Sequence, residues 1–269
     1  MEGLHEICIT KIAATISTLL GVDTHEGAAQ PVSLVLEKAA EAFDGKTCDR
    51  VFMYNPDAVG AWIYEKYQSL FSQMEKQTDL KISMLSVMPS VTPVCFGSMY
   101  TGMDPSAHGI MEYVKPVLKV DTVFDDMIRA GKRAAIVSTA GDSISMIFLA
   151  RQMDYFIYPT KEECNQKALE LIVQDQHDLI VLYNGDYDEI MHYDTPEGEK
   201  ALKALGENIA TFQEIQRAIT ANWTSHNTVL SFAPDHGCHQ TGESSGAHGT
   251  DQPCDMNIMH FYSFLQAQV

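Results

Sequence analysis

The chain has 269 residues, enough for one large domain or two small ones, and its 45% hydrophobic and 20% charged residues are ordinary for a globular protein. Acidic side chains outnumber basic ones 36 to 18, a net charge of −18 with no Lys/Arg cluster, so a nucleic-acid polymer is not an expected partner. Six cysteines without CxxC or disulfide-framework spacing, a start (MEGLHEICITK) without a signal-peptide pattern, and no run of about 18 apolar residues point to a reduced, cytoplasmic protein with no membrane partner.

Residues 10–20 predict a short helix: Thr10 can cap it, Ile12, Ile16, Leu19 and Leu20 share a face, and Gly21 can end it. A second helix is expected from Pro31, with Val32, Leu36, Ala39 and Phe43 on one side. From Arg50 strands and helices alternate. Strands are expected at 51–54, 82–88, 134–138, 154–158, 179–183 and 228–232. Helices are expected from after Asp57 to about Lys76, over 93–102, over 121–130, from the capping box Thr160-x-x-Glu163 to Gln174, and over 197–221. The apolar tail, 256–265, adds a last strand or helix. This alternation implies one α/β domain over 1–269, a mostly parallel sheet with helices on both faces, preceded by a helical segment over 1–48.

The chemistry gathers where strands end, as open parallel sheets require. Asp57 follows the first strand, Thr92 the second, Asp188 and His192 the fifth, and Asp235-His236-Gly237 the sixth. His248-Gly249 lies on the Gly/Ser-rich loop beyond, and five of the ten histidines fall between His226 and His260. Carboxylate oxygen and neutral imidazole are standard ligands for a divalent metal. Asp188 and His192, four apart, would share a face of a helix and bind one ion together. Each of these elements also has a plain reading: Asp-His-Gly as a polar turn, Asp188 and His192 as a hydrogen-bonded pair. Asp186 competes with Asp188; the four-residue step favours Asp188. His239 and His260 are spare ligand candidates, Asp251 and Asp255 are candidates for orienting His248, and Trp62, Trp223 and the 14 methionines read as packing.

Together these residues resemble the alkaline phosphatase superfamily, in its nucleotide pyrophosphatase/phosphodiesterase and phosphonoacetate hydrolase branch. The likeness rests on Met88-Pro89-Ser90-Val91-Thr92, Tyr100-Thr101-Gly102, His108-Gly109-Ile110, Asp188-x-x-x-His192, Asp235-His236-Gly237 and His248-Gly249, in order across 50–262. It implies an α/β/α sandwich and a metal-dependent phosphohydrolase with two divalent ions, zinc foremost and manganese or iron as alternatives. By the same likeness Asp188, His192 and His248 hold one ion, and Asp57, Asp235 and His236 hold the other with Thr92. Thr92 is then the nucleophile and carries a phosphothreonine intermediate, and backbone N–H groups at the start of the following helix hold a phosphoryl oxygen. The expected substrate is a small phosphate ester, pyrophosphate or phosphonate.

Three departures accompany the likeness. Cys95 stands where the branch has an Asn that contacts substrate, so Cys95 is either a weak substrate-binding residue or a small buried one. No insertion is long enough for a large substrate-binding cap. Residues 12–22 resemble a helix and turn that relatives carry after the last His ligand, as a relocated C-terminal element would; a generic amphipathic helix is the alternative. Two rival functions stand beside hydrolysis: a phosphomutase using the same phosphoenzyme, and a catalytically silent metal-binding homologue. A sulfatase is disfavoured, because no Cys/Ser-x-Pro-x-Arg segment is present.

Overall fold

The computed structural model describes residues 3–268; Met1, Glu2 and Val269 lie outside that description. A two-residue strand β1 (Ile7–Cys8) and a 3-10 turn lead into α1 (Ile12–Leu19) and α2 (Ser33–Ala42). The alternating part follows as β2 (Arg50–Pro56), α3 (Ala61–Lys66), α4 (Gln68–Glu75), β3 (Leu80–Leu85), α5 (Thr92–Thr101) and α6 (Pro105–His108). It continues through α7 (Val123–Arg129), β4 (Ala134–Thr139), α8 (Ser143–Ile147), β5 (Asp154–Tyr158), α9 (Lys161–Gln174), β6 (Leu179–Asn184) and α10 (Asp186–Asp194). The chain ends with α11 (Glu199–Asn222), β7 (Thr228–Phe232), the small hairpin β8 (His239–Gln240) and β9 (Gly246–Ala247), α12 (Pro253–Met256) and β10 (Asn257–Leu265).

Eight strands form one sheet in the order β1-β3-β10-β7-β2-β6-β4-β5. All neighbours are parallel except β10, which runs antiparallel to both β3 and β7. The sheet is buried on both faces, so its central strands read as continuous apolar runs. Side-chain alternation still sorts them. Val51 and Met53 of β2 pack with α1, α2, α5, α7 and α8 on one face. Phe52 and Tyr54 pack with α3, α4, α9, α10 and α11 on the other, giving the expected α/β/α layers. The long α11 shows why these helices dock: Ala201, Leu205, Ile209, Phe212, Ile215 and Ile219 recur at three- and four-residue steps and are all buried. Each large apolar side chain so buried contributes about 1.5–3 kcal/mol.

The N-terminal segment is integral to this sandwich. β1 pairs with β3, and α1 packs against α5 and α7 with Ile12, Ile16, Leu19 and Leu20 almost fully covered. His25 fastens the loop beyond α1, sharing the buried Asp126 carboxylate with Ser17 (2.9 Å each) and donating to the Thr101 carbonyl (2.7 Å). The His108-Gly109-Ile110 motif is a brace: the His108 ring sits on Gly97 of α5, where any Cβ would come within 2.7 Å of it, and bonds Ser98 Oγ.

Several expectations need correction. Pro31 lies before its helix, which starts at Ser33, and Thr10 sits inside the 3-10 turn and does not act as a cap. The helix expected up to Lys76 is two helices, α3 and α4, that bend at Tyr67. The apolar tail is a strand set in the middle of the sheet. Among the described residues, no helix is long and apolar enough to cross a membrane.

Candidate metal centre

Three adjacent parallel strands, β7, β2 and β6, lead at their carboxyl ends to Asp235, Asp57 and Asp188. β3 points the same way, and the segment after it is tied to β7 by Ser86 Oγ, which donates to the Asp235 carbonyl (2.7 Å). Thr92 therefore arrives at the same edge as the first residue of α5, with Pro93 next, where a missing N–H costs the helix nothing. α10 is helical from Asp186, so Asp188 and His192 do share a face. Asp186 also borders the cavity at this edge but pairs with Lys161 (2.6 Å), whereas Asp188 groups with His192 and His248.

Two donor groups result, and the ligand atoms within each lie within 4.8 Å of one another. Asp57, Asp235 and His236 are all buried. His236 Nε2 stands 3.3 Å from Asp57 Oδ1 and 3.5 Å from Asp235 Oδ2. In the other group Asp188 Oδ1 lies 3.2 Å from His248 Nε2 and 3.5 Å from His192 Nε2. The His236 and His248 rings stack with centroids 4.2 Å apart, so the two groups adjoin. The Thr92 hydroxyl donates to Asp57 Oδ2 (3.2 Å) and is 3.4 Å from His236 Nε2. Tyr183, at the end of β6, also donates to Asp57 Oδ2.

The donors fit divalent ions on two independent grounds. Each of the three imidazoles has its Nδ1 on a backbone carbonyl: His236 on Gly237 (2.9 Å), His192 on Gly246 (3.1 Å) and His248 on Ser90 (2.9 Å). That bond fixes the tautomer and turns Nε2 toward the carboxylates, the arrangement typical of metal-ligating histidines. Second, Asp57 Oδ1, Asp188 Oδ1 and both Asp235 oxygens are buried without a hydrogen-bond partner. Buried carboxylate oxygens left unpaired are costly, and a cation in each group would satisfy them.

The electrostatics show the same strain. Burial, then the Asp188 charge, push Asp57 up to about 7, and burial with the Asp57 charge hold Asp235 well above the usual carboxylate range. Burial works against Asp188 too, yet its contacts with His192 and His248 bring it below the ordinary value. His248, which burial alone would depress, is raised to about 9 by Asp188, while burial and the His248 charge take His236 down to about 3. Asp57, Thr92, Asp188, His192 and His248 line a cavity of about 600 Å³ together with Tyr113, Lys115 and Asp142.

Not every expected residue serves this edge. Cys95 does not face the cavity: it is fully buried, its Sγ 3.2 Å from Ser86 Oγ, so a substrate-binding role is corrected to packing. α5 is covered along its whole length, and so three residues beyond Thr92 the chain is already in the core. The N–H groups of Val94 and Cys95 return to the Val91 carbonyl (3.0 Å each) and Pro93 has none, leaving Thr92 N–H as the one donor at that helix start to offer an anion. His260 is buried on the Pro234 carbonyl (2.8 Å), and His239 bonds Asp255 (2.7 Å). Asp251 is exposed, and Asp255 holds Thr250; Ser90 is what orients His248. Tyr183, Tyr113 and Lys115 went unread in the sequence. Tyr183 had a signal, its place at the end of a buried strand; the other two lie in a loop without periodicity.

The family described as type I phosphodiesterase / nucleotide pyrophosphatase matches residues 55–263. Comparison with curated proteins by sequence returned no match. Among solved structures, murine ectonucleotide pyrophosphatase / phosphodiesterase 5 aligns at 16% identity and TM-score 0.55, over 72% of this chain and 58% of that one. An inactive threonine-to-alanine variant of it in complex with AMP aligns at 15% and TM-score 0.56, over 72% and 59%. Phosphonoacetate hydrolase from Sinorhizobium meliloti 1021, in complex with phosphonoformate, aligns at 17% and TM-score 0.54, over 73% and 59%. The chain thus spans about three fifths of the length of these structures.

Proposed function

The chain belongs to the type I phosphodiesterase / nucleotide pyrophosphatase family, and we propose that it hydrolyses a small phosphate ester, pyrophosphate or phosphonate through a phosphothreonine on Thr92. The observation that carries this reading is the position of the Thr92 hydroxyl, in contact with Asp57 and His236 and beside the second donor group. Asp57, Asp235 and His236 would hold one divalent ion, and Asp188, His192 and His248 the other. When bound, such ions act as Lewis acids, lowering the pKa of a hydroxyl or water and neutralising phosphoryl charge.

The chain's own residues supply the rest. Thr92 Oγ1–H is aimed at Asp57 Oδ2, so its proton has an acceptor in place before attack on phosphorus. Tyr183, donating to the same oxygen, holds that carboxylate in its rotamer. Thr92 N–H is positioned to donate to a phosphoryl oxygen. The cavity of about 600 Å³ admits a nucleotide-sized or smaller substrate. The inactive threonine-to-alanine relative with AMP, and the relative with phosphonoformate, support this substrate class.

The test is a substrate panel of p-nitrophenyl phosphate, bis-p-nitrophenyl phosphate, phosphonoacetate and nucleotides, with zinc and with manganese. Acid quenching during turnover of the best substrate should leave phosphate on the peptide containing Thr92. Label in the released substrate isomer, in place of free phosphate, would indicate a mutase. Turnover with no label on Thr92 and no loss in Thr92→Ala would refute the nucleophile assignment.

A further inference from the structure

A third cluster of metal-binding side chains lies outside the cavity. His239 on β8 and Cys254 and Asp255 of α12 each offer one ligand atom, and the three atoms lie within 4.8 Å of one another. None of them lines the cavity. Asp255 is fully buried. Its Oδ2 is taken by Thr250 N–H (2.9 Å) and Thr250 Oγ1 (2.7 Å), which leaves Oδ1 turned to His239 Nδ1 at 2.7 Å.

The backbone that presents these side chains is unusually constrained. Gly237 N–H donates to the Asp255 carbonyl (2.8 Å). The Cys254 carbonyl presses on two glycines: a Cβ on Gly60 would meet it at 2.9 Å, and one on Gly237 would overlap it. Two chain segments distant in sequence are thus clamped so closely that only glycine fits between them, and the donors stand on that clamp.

We propose that His239, Cys254 and Asp255 bind a structural zinc-class ion, with water completing the coordination. Thiolate, imidazole and one carboxylate oxygen form a donor set that selects zinc over magnesium or calcium. Neighbouring ligand atoms around such an ion stand ~3–4 Å apart, so the His239–Asp255 pair opens by about half an ångström as the ion replaces their shared proton. The thiol proton leaves to solvent on coordination. The ion's role follows from position: it ties β8 to α12, the two ends of the loop that carries His248, and Asp255 also anchors Thr250 two residues beyond that histidine.

Cobalt substitution separates this site from the other two, because only this one contains a thiolate. Protein stripped of metal and reloaded with Co2+ should show a thiolate-to-cobalt charge-transfer band in the near ultraviolet. Cys254→Ser and His239→Ala should remove or shift that band while the visible cobalt bands of the imidazole–carboxylate sites persist. A cobalt-loaded wild type with the visible bands but no charge-transfer band overturns the proposal, as does an unchanged band in Cys254→Ser. Should a variant fail to fold, the wild type still decides. Zinc should protect Cys254 from alkylation, read by peptide mapping, while the half-buried Cys8 reacts equally with and without it. Equal alkylation of Cys254 with and without zinc would also overturn it.

Discussion

Replacing Asp57 by Asn should stabilise the metal-free protein while abolishing its activity. Asn is nearly the same shape. Its carbonyl can take the place of Oδ2 and accept from Tyr183 and Thr92, and its amide can donate to Asp235, whose oxygens otherwise lack partners. What disappears is a buried charge in a cluster of three carboxylates. In the folded, metal-free state burial and Asp188 hold the Asp57 pKa at about 7, against 3.8 in the unfolded chain. The folded state therefore binds a proton that the unfolded state has released, so this contribution falls as pH rises from about 4 to about 7 and stays low above. At about 1.4 kcal/mol per pH unit, the cost reaches about 4 kcal/mol by pH 8. That corresponds to roughly 5–10 °C in melting temperature for a chain of this length. The assay is thermal and urea unfolding of wild type and Asp57→Asn in excess chelator at pH 5 and pH 8. The variant should gain about 1–2 kcal/mol at pH 5 and about 4 kcal/mol at pH 8. With zinc restored the order should reverse, because the wild type gains binding energy that the variant has lost. A variant no more stable than wild type at pH 8 without metal would refute the claim that these carboxylates are strained and await a cation.

Thr92→Ala should keep its metal content and lose orders of magnitude in turnover, whereas Thr92→Ser, which keeps the hydroxyl but not the methyl that fixes its rotamer, should retain partial activity; steady-state kinetics with metal analysis checks both. Deleting residues 1–30 should give insoluble protein, since it strips β1 from the sheet and uncovers the face of α5 and α7; a soluble, active truncation would contradict this. Burial depresses His260 to about 4, so it withdraws stability as pH falls from 6.5 to about 4, roughly 3 kcal/mol when complete and opposite in sign to Asp57; the stability difference between wild type and His260→Gln should shrink by that amount from pH 7 to pH 4 in urea unfolding, and a difference independent of pH would contradict it.

The edge of the sheet was legible because its signals are local. Asp57 and Asp235 each follow an apolar run directly, and the Asp188–His192 step needs only a helix to become a binding pair. What stayed hidden depends on contacts across the fold. Nothing near His248 in sequence indicates that Ser90, 158 residues away, holds its ring. Cys95 drew a substrate-binding reading from the Asn that stands there in the branch the sequence resembles, but its side chain is turned into a helix face buried in the core. The position of β10 was equally unreadable: all its residues through Phe264 are buried, so its side chains carry no period that reports neighbours or direction.

That central strand is the seam of the sheet. Among the described residues, β10 alone joins β1 and β3 to the other five strands. The backbone ladder from the strand before Thr92 to those before Asp57 and Asp235 thus runs through β10, while Ser86 and the side chains of α5 make the same link directly. With β10 displaced, β3 and β7 would each present an unpaired edge to other chains. A proline that breaks the β10 ladder would therefore loosen the segment before Thr92 without touching any residue of the cavity.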